Sequence, residues 1–170
     1  MQLKMRRNLP LLPLLLAATL LLSGCSTMRS LVGMDPKPVS PDWKSLSLRA
    51  AADANNNSAV AVDLVLIKDA SMVDSLMNMP ASKWYATRAD LQRTFPEGLT
   101  VYPFELVPSQ TLRLDDRKWN GQKAWAAVVF AGYGNPGEHR ARLMLNAGAY
   151  VVQLNAQGFA VSEVKPGAAQ

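Results

Sequence analysis

The run AVAVDLVLI, residues 59–67, decides the fold class of this 170-residue chain. In an extended backbone successive side chains point to opposite faces, so Val60, Val62, Leu64 and Leu66 share one face. Asp63 points the other way, with the apolar Val65 and Ile67 beside it. Near-continuous apolarity toward the end of the run predicts a strand that is buried on both sides there.

The flanking sequence places this strand within a larger β pattern. SLSLRAA (45–51) alternates and reads as a preceding strand, and ADANNNS (52–58) reads as a polar, Asn-rich loop between the two. Two helical pieces follow. In ASMVDSLMNM (70–79), Val73, Leu76 and Met77 stand at i, i+3 and i+4. In SKWYATRADLQRTF (82–95), Trp84, Leu91 and Phe95 form a stripe, with Arg88 and Gln92 expected on other faces. Pro80 separates the pieces, and Pro96-Glu97-Gly98 stops the second. Both stripes read as core contacts rather than as a cofactor-binding face.

After Gly98 the pattern returns to strands. LTVYPFELV (99–107) aligns Tyr102, Phe104 and Leu106, and QTLRLD (110–115) aligns Leu112 and Leu114. KAWAAVVFA (123–131) is strongly apolar, RARLMLN (140–146) alternates, and AYVVQLN (149–155) and FAVSEV (159–164) close the pattern. Pro103 cannot donate to a ladder, so its strand is expected at a sheet edge or a bulge. Asn120-Gly121 reads as a tight turn. The prediction is a mainly β protein, a two-sheet β-sandwich of about eight strands with a helical insertion after the second.

The N-terminus carries a different signal. Lys4, Arg6 and Arg7 precede an apolar run from Leu11 to Leu22, which is too short to span a bilayer comfortably. It ends in Leu22-Ser23-Gly24-Cys25, which resembles the lipobox of bacterial lipoproteins. By that resemblance residues 1–24 are a lipoprotein signal peptide, and Cys25 is the site of lipid attachment. Ser26, in place of Asp, permits sorting to the outer membrane. Two or more acyl chains give a lasting anchor where one does not. Residues 25–43, with Pro36, Pro38 and Pro41, read as the lipidated cysteine and its tether. Residues 44–165 read as the sandwich domain and 166–170 as a C-terminal tail. Cys25 is the only cysteine, so no internal disulfide is available.

Composition narrows the chemistry. The formal charge of +5 includes the three N-terminal cations; without them 15 basic residues face 13 acidic ones, about +2. No basic block interleaved with aromatics points to nucleic acid. With His139 the only histidine, a His/Cys metal site is not expected, and His139 itself reads as solvated. GYGNPG (132–137) has the G-x-G-x-x-G form, but an alternating strand pattern follows where a dinucleotide site needs a helix. It reads as a glycine-rich hairpin loop. No cofactor, metal or small-molecule substrate is implied, and the chain reads as a non-enzymatic binding or scaffolding domain.

The stretch from Asn55 to Lys68, the ELVPSQT segment (105–111) and the WAAVVFAGY strand (125–133) together resemble the TssJ (SciN) lipoproteins of the bacterial type VI secretion system. The resemblance covers residues 44–164. It implies a transthyretin-like sandwich facing the periplasm from the outer membrane, and a partner in the periplasmic C-terminal region of a TssM-like inner-membrane protein. It also implies that the loop between the first two strands makes the contact. Here that loop is Asp53, Ala54, Asn55, Asn56, Asn57 and Ser58. The residues alone leave a plain turn open for the Asn run, since Asn tolerates positive φ. They also leave open another envelope-assembly lipoprotein, such as a pilus or polysaccharide-export accessory, and a periplasmic ligand carrier or enzyme.

Overall fold

In the computed structural model, which describes residues 36–164, the alternation seen in the sequence becomes eight strands. These are β1 (Ser45–Ala50), β2 (Val60–Ile67), β3 (Leu99–Leu106), β4 (Thr111–Asp115), β5 (Ala126–Gly132), β6 (Arg140–Leu143), β7 (Tyr150–Leu154) and β8 (Phe159–Glu163). They form two four-stranded sheets, ordered β4-β1-β7-β8 and β3-β2-β5-β6. All pairings are antiparallel except β1 with β7. This is the transthyretin-like sandwich that the resemblance implies. The signal segment, Leu22, Ser23, Gly24, Cys25, Ser26 and the tail at 166–170 lie outside the described residues.

The core between the sheets collects one face of each strand: Leu46 and Leu48 from β1, Val60, Val62, Leu64 and Leu66 from β2, Val152 and Leu154 from β7. Pro103 lies in β3, which is an edge strand, as its missing donor requires. GYGNPG joins the antiparallel neighbours β5 and β6 and is a hairpin loop with no helix after it.

The helical insertion covers the outer face of the β2 sheet. A 3-10 turn (Ala70–Met72) leads into α1 (Val73–Met77), and α2 (Ala81–Thr94) runs back after Pro80. Asp69 caps the first turn through bonds from the Ser71 amide and hydroxyl, which hold its carboxyl below the usual range. Beneath the helices Val65, Ile67, Val128 and Phe130 pack with Leu76, Met79 and Trp84 in a second core. So β2 is buried on both sides, as its composition predicts.

The stripe expected on α2 needs correction. Trp84 is fully buried, stacked on Phe130 with centroids 4.8 Å apart, but Phe95 at the helix end is exposed. Arg88, one turn from Trp84, turns toward the sheet. The reason is Asp63: its buried carboxylate accepts from Trp84 Nε1 and Arg88 at 2.8 Å each. A buried charge must be paired, and the helix supplies the partner. Tyr85 adds a third tie, its hydroxyl donating to Ala61 O and Phe130 O across the β2–β5 pair. Burial raises the Tyr85 pKa well above its ordinary value.

Candidate functional site

The strand directions divide the sandwich into two ends. At the base, Val39 bridges Ala124, Asp42 and Lys44 bond to Leu145 and Gly148, and Trp43 donates to Met144 O before β1 begins. At the opposite end, here the tip, the β1–β2, β3–β4, β5–β6 and β7–β8 loops meet. The Asn-rich loop lies at the tip, one full strand length from the point where the N-terminal segment joins.

The loop has a defined shape. Asn55, Asn56 and Asn57 all have positive φ, at 47°, 53° and 62°. With Ser58 N bonded to Ala54 O at 3.1 Å, they make one left-handed turn. Left-handed backbone costs an L-residue about 1–2 kcal/mol, less for Asn, whose short side chain bonds locally. Three in succession persist only if the surroundings hold them. Asn55 provides much of that hold. Its Oδ1 accepts from Gly134 N and its Nδ2 donates to Ala59 O, each at 2.9 Å. Its amide bonds Asn155 O, and the Asn56 amide bonds Ala156 O. The turn is thus stitched to both the β5–β6 and the β7–β8 loops.

Those two loops are stitched to each other. Tyr133 donates to Gly158 O at 2.6 Å and accepts from Asn155 N at 3.2 Å, and Asn135 donates to Gln157 O at 3.0 Å. Burial pushes the Tyr133 hydroxyl pKa up to about 12. His139 is not the solvated residue expected from its charged neighbours. It is half-buried, stacked on Tyr133 with centroids 4.7 Å apart, and its Nε2 lies 3.0 Å from Asn135 O.

The six expected loop residues divide by role. Asp53, Asn56, Asn57 and Ser58 are exposed; Asn55 is half-buried and acts as the staple; the Ala54 side chain is in the inter-sheet core. An open groove of about 540 Å³ beside the turn is lined by Asp53, Asn155, Gln157 and Phe159. A second cleft of about 620 Å³ opens on the other flank against Tyr85, Tyr133, Asn135 and His139. Among the described residues no group of three or more His, Cys, Asp or Glu side chains could hold a metal ion. What the tip offers is a preorganised polar surface of side-chain amides, hydroxyls and loop backbone. Sequence reading located the Asn run but missed Tyr133, Gly134 and residues 155–158. Their Asn and Gly content marks turns; only the strand order brings those turns beside the Asn loop.

No family model and no curated protein matches the sequence. The architecture does have counterparts. The structure superposes on TssJ1, a lipoprotein of the Pseudomonas aeruginosa type VI secretion system, with a TM-score of 0.57 at 16% identity, over 76% of this chain and 98% of that one. The fold is that of the TssJ lipoproteins. Serratia marcescens Lip, a membrane-bound component of the type VI secretion system, gives 0.51 at 14% identity over 75% of this chain and all of its own. A chain of a type VI membrane complex gives 0.50 at 15% identity, over 69% and 95%. At these identities the fold is what is shared.

Proposed function

We propose that this chain is a TssJ-type lipoprotein, a structural, non-enzymatic component of a type VI secretion membrane complex. In this reading Cys25 carries the lipid, Ser26 allows outer-membrane sorting, and the domain faces the periplasm. The tip, with Asp53, Asn56, Asn57 and Ser58 displayed, docks on the periplasmic region of a TssM-like inner-membrane protein.

The observation that carries the reading is the polarity of the sandwich. The N-terminal segment joins at the base, and the stapled Asn turn stands at the tip. Cys25 and Val39 are 14 residues apart, a reach of at most about 50 Å. That length of chain ties an anchor at Cys25 to the base end of the sandwich, at the other end of the strands from the tip. A prepaid loop shape lowers the ordering cost of a contact at the tip.

The test uses the full chain and the periplasmic region of the TssM-like protein from the same bacterium. The two are expected to co-purify. Asn56→Asp and Asn57→Asp retain a residue that tolerates left-handed backbone but replace amide donors with charge, and are expected to weaken the complex with the fold intact. Cys25→Ser is expected to leave the membrane fraction. Unchanged binding in both Asn variants refutes the tip as the contact, and a membrane-bound Cys25→Ser chain refutes the anchor.

A further inference from the structure

Four strands lie at sheet edges: β3, β4, β6 and β8. An edge strand leaves half its backbone donors and acceptors without ladder partners, a template for another chain unless it is blocked. β3 is blocked by Pro103. β6 has four residues, with Arg140 tied to Glu138. β8 carries no cation. β4 differs from all three.

Arg113 on β4 stands opposite Ser47 of β1, and Arg49 of β1 stands opposite Thr111 of β4. Both arginines point to the outer face, because Leu46, Leu48, Leu112 and Leu114 take the inner one. They are diagonal cross-strand neighbours, about 7–8 Å apart at that spacing. Both are exposed, and among the described residues neither has an ion pair. Asp115 does not neutralise them, since its carboxylate is held by Arg117 at 3.0 and 3.1 Å. That pairing keeps the Asp115 carboxyl below its usual range. Among the described residues Lys118 and the acid Asp116 are also without ion pairs.

Two hollows share Arg113, one over β1 and β7 and one at β4. One, of about 230 Å³, is lined by Ser45, Ser47, Tyr150 and Val151 together with Arg49 and Arg113. The other, of about 280 Å³, is lined by Arg113, Leu114, Arg117 and Lys118 together with Asp115, whose carboxylate Arg117 holds. Among the described residues no helix packs on this sheet. A second copy of the chain is a poor occupant, because antiparallel pairing of two β4 strands brings like charges together.

We propose that β4 is a strand-addition edge for an extended acidic segment of a partner protein. The segment pairs its backbone with the free side of β4 and places alternate carboxylates toward Arg113 and Arg49. Main-chain bonds supply affinity and the alternate side chains supply selectivity, with Arg suited to bidentate carboxylate recognition. The site lies on the sheet edge, apart from the tip turn, so both can be occupied at once.

The test is fluorescence anisotropy with the full chain in detergent and a labelled seven-residue peptide, Glu-Val-Glu-Thr-Glu-Val-Glu. Two controls replace every Glu by Lys, or methylate alternate backbone nitrogens. The acidic peptide is expected to bind, and each control to bind about tenfold more weakly or worse. Arg113→Glu and Arg49→Glu, both at exposed positions, are expected to weaken binding by a similar factor with an unchanged melting temperature, whereas Arg142→Glu on β6 has no effect. The proposal is overturned if the acidic peptide does not bind, or if the lysine peptide binds equally. It is also overturned if the methylated peptide binds as well as the parent, because charge alone is then the attraction and the arginines only guard the edge.

Discussion

β1 and β2 hold equivalent places, each second in its sheet, yet they treat the outside in opposite ways. β1 alternates Ser45, Ser47 and Arg49 against Leu46, Leu48 and Ala50, and among the described residues no helix packs on its outer row. β2 has Asp63, Val65 and Ile67 on its outer side, all buried under the helical insertion. The inner faces of the two strands are alike, so the sandwich core does not distinguish them. The outer rows do. An apolar outer row requires a cover, and the single acid within it selects where the cover sits, because only a helix offering a donor at that point leaves the charge paired.

The comparison breaks most severely at Trp84. Its indole fills the space over Phe130 and donates to Asp63. Trp84→Ala removes the largest side chain in the second core and one of the two partners of a buried carboxylate. A loss of about 3–5 kcal/mol is expected, read as a lower denaturant midpoint for the full chain. A loss under about 1 kcal/mol would mean that the helices lie on the sheet without being required by it.

Arg88→Met comes next. Asp63 is 1% exposed, and its Oδ1 already lacks a protein partner. Without Arg88 the charge retains only the indole N–H. Because the Arg88 side chain is 40% exposed, the pair is partly screened, and the expected cost is about 1–3 kcal/mol rather than that of a fully buried pair. Adding Asp63→Asn removes the charge while keeping an acceptor for Trp84. The double variant is expected to recover part of the loss, and double-mutant analysis of unfolding measures the coupling. Strict additivity would sever the proposed link between acid and cover.

How much of this was legible in the sequence follows the same divide. The β1 sheet could be read almost directly, since period-two alternation states which row faces the core, although Ser47 on the other row is buried as well. The double burial of β2 was also legible, from near-continuous apolarity. The role of Asp63 was not. Strand periodicity assigns it a face but cannot name the helix residue that will answer it, and helix periodicity placed Arg88 away from the sheet because it scores charge as a preference for solvent. Phe95 failed for a related reason: a stripe on a helix continues in pattern past the point where the sheet beneath it ends. At the tip, the Asn run showed a turn, but its partners at Tyr133, Gly134 and residues 155–158 depend on strand order, which no local pattern contains.

The smallest effect belongs to the open face. Ser47 is 8% exposed on the outer side of β1, with Arg113 and Val151 as its cross-strand neighbours. If the β1 sheet has no cover to fit, Ser47→Val introduces no clash and deletes no hydrogen-bonded partner, while a β-branched side chain suits a pleated surface. A change within about 0.5 kcal/mol, of either sign, is expected in equilibrium unfolding. A cost above about 1 kcal/mol would show that a serine is required between those neighbours, and the two sheets would then differ in what covers them rather than in whether anything does. With a near-neutral result at Ser47 beside a large one at Trp84, the asymmetry resides in the outer rows of two otherwise equivalent strands.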